Sequence, residues 1–161
     1  MHMHTPFLLK CIYTHNMISM KKLMRLELCN CFAARQASRH LTKLYERHLA
    51  GADVTSAQFS ILVALDEGGE MTMNELASAM VMDRTTLLRA IRPLEREELL
   101  TSKPSAEDAR RLVLSLSVAG SRRLKKALAL WSEAQREFES SIGSGEAARL
   151  RRELLSLARP N

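Results

Sequence analysis

The sequence predicts a mainly α protein with one small β-hairpin, and three observations carry that expectation. Apolar residues recur at helical spacing through most of the 161-residue chain. Two short helical segments are joined by only Val81-Met82. The apolar period then changes from 3.6 to 2 beyond Leu99, where a pair of strands must follow.

Residues 1–24 read as an N-terminal extension without periodicity, in which Met17, Met20 and Met24 are alternative starts. A first helix is expected from about Leu26 to His48, with Ala34, Ala37, Leu41, Leu44 and His48 stepping by three and four until Gly51 ends it. Thr55 N-caps a second helix that buries Phe59, Leu62, Val63 and Leu65 and closes at Gly68-Gly69. Thr72-Met73-Asn74-Glu75 is a capping box opening a short third helix to about Met80. Asp83 N-caps the fourth, which Pro93 should bend by removing one hydrogen bond. Leu100–Lys103 and Leu112–Leu116 form the hairpin, with Leu112, Leu114 and Leu116 on its buried side and Pro104–Arg110 at its polar tip. Ser117 caps a long helix carrying Leu124, Ala127, Trp131, Ala134 and Phe138. Gly143-Ser144-Gly145 breaks it before a last helix with Leu150, Leu154 and Leu157. Helix-turn-helix followed by hairpin is a winged helix-turn-helix domain, expected over residues 51–117. The flanking helices, residues 25–50 and 118–161, carry more apolar stripe than so small a domain can cover. They are expected to form a helical dimerisation region packed on a second copy of the chain.

The fourth helix carries the chemistry. Leu87, Ile91 and Leu94 make its inward face, while Thr85, Leu88, Arg89 and Arg92 fall on another, flanked by Arg84 and Thr86. Hydroxyls and guanidinium forks with no acid among them suit the major groove, where Arg pairs with guanine O6/N7 and an apolar side chain meets a thymine methyl. Thr72, Lys103 and Arg111 extend the expected DNA-binding set. The charge balance agrees: 24 Lys+Arg against 18 Asp+Glu give net +6. At 4% aromatic, the chain has too few rings to stack single-stranded bases, so double-stranded DNA is the expected partner.

Asp83-Arg84-Thr85-Thr86 with Arg89, Leu94-Glu95, then Asp108-Ala109-Arg110, Leu116-Ser117 and Ala119-Gly120 resemble the MarR family of winged-helix transcription regulators, over roughly Cys29 to Leu157. The resemblance implies a homodimer on a pseudo-palindromic operator, with repression the usual outcome. Each recognition helix would enter the major groove, and each wing would place Arg110 in the minor groove with Asp108 orienting its guanidinium. A narrow minor groove concentrates the negative potential that draws such an arginine. Two positions depart from the pattern. Leu88 stands where the family commonly has Thr or Ser. Glu98 replaces a helix-ending glycine, at a cost of about 1 kcal/mol for a left-handed cap, so this helix end is expected to differ.

Cys31-Phe32, Ser38-Arg39, Thr42-Lys43 and Tyr45 resemble the first helix of the branch of this family that senses organic hydroperoxides. The resemblance implies that Cys31 is oxidised and that tyrosines of the partner subunit contact it. Cys31 and Tyr45 share a helix face but stand about 21 Å apart along it, so they would meet only across an antiparallel dimer. Arg35 replaces a tyrosine of that branch; a guanidinium one turn away and the helix start would both favour a Cys31 thiolate. The alternative role for Cys31 is that of a small apolar packing residue. The alternative signal is an aromatic or phenolic acid lodged between the dimer helices and the winged domain. A DNA-binding architectural protein without a sensor is the remaining reading.

Other classes find no support. The sequence has no G-x-G-x-x-G, P-loop or H-E-x-x-H pattern, so neither an enzyme nor a cofactor is expected. His40 and His48 offer no ligand pair at metal spacing, and no metal is expected. No apolar run is long enough to span a membrane. Three cysteines, an odd number, suit a reducing cytoplasm better than a disulfide framework.

Overall fold

The computed structural model describes residues 25–105, 108 and 111–158. The chain divides into two compact units, Met1–Thr42 and Lys43–Asn161. In the first, residues 25–27 are helical and α1 (Asn30–Leu49) then begins and runs on into the second unit. The expected single helix from Leu26 is thus interrupted. The Cys29 N–H donates to the Leu26 carbonyl at 3.0 Å, and the Cys29 carbonyl accepts from Ala33 at 2.9 Å, which makes Cys29 the non-helical residue ahead of the first turn.

In the second unit a 3-10 turn (Ala50–Ala52) leads to α2 (Ser56–Gly68). Gln58 N–H donates to Thr55 Oγ1 at 3.2 Å, and Thr55 N–H returns a bond to Gln58 Oε1 at 2.8 Å. Phe59, Ile61, Leu62 and Leu65 are buried, whereas Val63 is only half-buried. The short strand β1 (Met71–Thr72), α3 (Met73–Ala79) and α4 (Arg84–Arg96) follow, the last continuous through Pro93.

The α3–α4 connection is a Schellman turn: Met82 N–H donates to the Ala77 carbonyl at 2.9 Å and Val81 N–H to that of Ser78 at 3.1 Å. This puts Val81 at φ 51°, a left-handed conformation that costs a residue with a Cβ roughly 1–2 kcal/mol. The same motif ends α4, where Leu99 N–H donates to Leu94 O at 2.8 Å and Glu98 N–H to Glu95 O at 2.9 Å, with Glu98 at φ 56°. The expectation that Glu98 alters this end is therefore corrected. Leu94 and Leu99 are both in the core, and their burial outweighs the cost of a Cβ in the cap.

The hairpin is part of a three-stranded antiparallel sheet in the order β1-β3-β2. β2 (Leu100–Pro104) pairs with β3 (Leu112–Leu116) from Leu100↔Leu116 to Pro104↔Leu112, and β1 adds Met71↔Leu114 and Thr72↔Val113. The expected alternation is corrected at one end. Leu112, opposite Pro104 and farthest from the core, is exposed, while Val113 and Leu114 at the middle of the sheet are both buried.

Ser117 caps α5 (Val118–Ile142), accepting from Gly120 N–H at 2.9 Å and donating to the Glu98 carbonyl at 2.7 Å. That bond ties the start of α5 to the end of α4. Gly120 permits the approach: a Cβ there would lie 2.0 Å from the Leu99 carbonyl oxygen. Gly143, at φ 91°, ends α5, and Ser144 and Gly145 already belong to α6 (Ser144–Ala158). Leu49, Ile61, Leu62, Leu76, Leu87, Ile91, Leu94 and Leu124 form the core, and among the described residues no polar or charged side chain is buried in it.

Candidate nucleic-acid interface

The two faces of α4 separate as the spacing requires. Leu87, Ile91 and Leu94 are buried, while Arg84, Thr85, Thr86, Arg89 and Arg92 are exposed. Asp83 Oδ1 accepts the N–H groups of Thr85 and Thr86, each at 2.9 Å, and Asp83 Oδ2 accepts the Thr86 hydroxyl at 2.6 Å. These bonds, the Thr86 hydroxyl foremost, hold the Asp83 carboxyl below its ordinary pKa. Thr86 thus spends its hydroxyl proton on the cap, and both Thr85 and Thr86 are exposed.

A groove of about 410 Å³ lies between α4, the start of α3 and the sheet. It brings together Thr72, Arg84, Leu88 and Arg111 of the expected set. Leu88 is half-buried there, sharing the groove with Leu112 and Leu114. Thr72 caps α3: its hydroxyl accepts from Glu75 N–H at 3.3 Å and donates to Glu75 Oε2 at 2.7 Å. The Thr72 backbone N–H, its hydroxyl and the nearby Arg111 charge all hold the Glu75 carboxyl low. Asn74 and Ser102 line the same groove and were not anticipated. Asn74, exposed in the first turn of α3, was legible only as a residue inside the capping box. Glu95 brings one negative charge to the groove.

Arg89 and Arg92 lie on the outer face of α4, outside that groove's lining. Lys103 is engaged in an ion pair with Glu70 and is not an uncommitted cation. At the hairpin tip, Ser105 N–H donates to the Arg111 carbonyl at 2.7 Å and Arg111 N–H to the Asp108 carbonyl at 2.9 Å, closing the turn. Arg110 lies outside the described residues, and with it the expected Asp108–Arg110 arrangement.

Of the expected sensor residues, Cys31 is exposed in the first turn of α1, with Arg35 exposed one turn on. Cys29 and Cys31 are unbridged. Tyr45 does not present a free hydroxyl: it donates to Gln135 Oε1 on α5, and burial raises its pKa. Among the described residues no helix is long and apolar enough to cross a membrane, and no cluster could hold a metal ion.

The MarR family model matches residues 54–112, the stretch from the start of α2 to β3. Over 105 residues the chain is 31% identical to the organic hydroperoxide resistance transcriptional regulator of Bacillus subtilis, covering 65% of this chain and 71% of that protein. A probable transcriptional regulator from Pseudomonas aeruginosa superposes with a TM-score of 0.74 at 30% identity, over 82% of this chain and 98% of that one. The M. tuberculosis transcriptional regulator MosR in complex with DNA gives 0.72 at 35% identity, over 81% and 93%. With a winged-helix fold common to these regulators, the chain belongs to the MarR family.

Proposed function

We propose that this protein is a dimeric, sequence-specific DNA-binding transcription regulator, acting as a repressor that a signal releases from a pseudo-palindromic operator. The outer face of α4 carries the reading: five exposed side chains, Arg84, Thr85, Thr86, Arg89 and Arg92, stand on a helix anchored from below by Leu87, Ile91 and Leu94. Arg89 and Arg92 reach base edges, Arg84, Thr72, Asn74 and Arg111 hold phosphates along the groove, and Arg110 enters the minor groove beyond the wing. Residues 51–117 form the reading module. Residues 25–50 and 118–161 join two chains, with residues 1–24 an extension. The test begins with duplexes selected from a random pool by the full chain. Arg89→Ala then weakens binding to the selected site by about 1–3 kcal/mol and relaxes preference at one base position per half-site. An equal loss on random DNA would assign Arg89 to phosphate and move base reading elsewhere.

The signal proposed is oxidation at Cys31. The relative from Bacillus subtilis is named for organic hydroperoxide resistance, and Cys31 is exposed at a helix start with Arg35 one turn away. The thiolate attacks the peroxide, one oxygen passes to sulfur as sulfenic acid, and the alcohol leaves. A hundredfold release requires the oxidised form to favour the non-binding arrangement by about 2.7 kcal/mol. Operator release by cumene hydroperoxide in the wild type, lost in Cys31→Ser, is the expected result; release retained in the mutant contradicts it. A cleft beside Trp131 favours a second signal, a bound small molecule.

A further inference from the structure

Arg123, on α5, ties together two other elements with one nitrogen. Its Nη1 donates to the Ala52 carbonyl at 3.2 Å and to the Asp53 carbonyl at 3.3 Å, and it stands 3.5 Å from Glu97 Oε2. Ala52 ends the 3-10 turn that follows α1, and Asp53 beyond it is left-handed at φ 53°. Carbonyls at a helix end have no donor within the helix, and the negative end of the helix dipole favours a cation there. Glu97 is the residue on which α4 ends, one before the left-handed Glu98. The arginine therefore joins the exit of α1 to the exit of the reading helix. Its own helix is fastened to the same place earlier in the chain: Ser117 N–H donates to the Leu99 carbonyl at 3.1 Å, beside the hydroxyl bond to Glu98. Arg122 and Lys126 line the same recess, so charge alone does not single Arg123 out; its two carbonyl bonds do.

The leverage is large. α4 has 13 residues and is about 20 Å long, so a swing of about 10° at its C-terminal end moves its N-terminal end by about 3.4 Å, the rise of one base pair. We propose that Arg123 is a positioning residue for DNA reading: by holding Glu97 against the 52–53 turn it fixes the angle of α4, and with it the spacing of the half-sites that two chains read. It acts through α4 and is not itself a DNA contact. The inference rests on the regulator reading above.

The test uses a duplex selected from a random pool by the full chain, and versions with one base pair added or removed between the half-sites. The wild type is expected to lose about tenfold or more on either change. Arg123→Gln should bind the selected duplex about fivefold more weakly, the scale of a partly exposed ion pair, while its spacing penalty falls to about threefold. Affinity for an isolated half-site should stay the same. Because one nitrogen makes all three contacts, Arg123→Lys should restore most of the spacing penalty. Glu97→Gln, at an exposed position, should flatten the spacing preference in the same direction by less, and it carries the test if Arg123→Gln does not fold. A spacing penalty as steep in these variants as in the wild type, with only thermal stability lowered, would overturn the inference and leave Arg123 a structural tie. A wild type that selects no duplex would overturn the regulator reading itself, and the inference with it.

Discussion

Helices α4 and α6 are both amphipathic, yet one finds its apolar partners within the chain and the other does not. In α4, Leu87 and Ile91 are fully buried and Leu94 is 1% exposed, so its polar face is left free on a rigid support. In α6 only Ala147 is buried, and Leu154, Leu155 and Leu157 stand 42%, 58% and 82% exposed. A helix satisfied from within can offer its outer face to a ligand. A helix whose leucines remain in water invites a second protein surface, and a copy of itself is the proposed one.

The support beneath α4 is where the largest effect is expected. Gly120→Ala would drive a Cβ to within 2.0 Å of the Leu99 carbonyl, backbone that cannot yield cheaply, and should cost more than about 3 kcal/mol in denaturant unfolding. Next, Ile91→Ala should destabilise by about 2–5 kcal/mol at any protein concentration, because it empties a site closed within one chain. Leu157→Ala should leave unfolding near zero change in dilute solution and act only on association. Equal, concentration-independent costs at both positions would erase the distinction between the two helices.

Acid sharpens the comparison. The Asp83 carboxyl is lowered by the Thr86 hydroxyl and neighbouring N–H groups, that of Glu146 on α6 by its bond to Arg149. A depressed folded pKa contributes stability that is complete above the unfolded value and is lost as pH falls through the folded one. Both contributions therefore fade below about pH 4. Added salt should erode the Glu146–Arg149 share and leave the Asp83 cap largely intact, as pH titrations of stability at low and high ionic strength will show. The one expected gain is small: Val81→Gly relieves the left-handed strain in the turn before α4 and should raise stability by about 0.5–1 kcal/mol in thermal melts.

These contrasts also explain what the sequence made legible. The N-cap at Thr55, the capping box at Thr72, the Asp83 cap and the inward stripe of α4 are local and periodic, and each stands where the residues implied. β1 was not foreseen because its two residues, Met71 and Thr72, carry no period and become a strand only by pairing with β3. Leu112 and Val113 exchanged expected roles because burial there depends on position along the sheet, not on alternation alone. Glu98 kept a cap normally left to glycine because Leu94 and Leu99 pack beneath it, a tertiary contact that propensity does not encode. The groove set was half legible: Arg84 and Arg111 by charge, Asn74 and Ser102 only once the sheet met α3 and α4.

The central claim, that the α4 face reads DNA from a dimer joined through the flanking helices, is tested most directly by sedimentation of the full chain alone and on a selected duplex. The account predicts a species of twice the 18.2 kDa chain at micromolar concentration, and two chains on each duplex with half-sites about one helical turn apart. A monomer that binds the same duplex with undiminished affinity would contradict it.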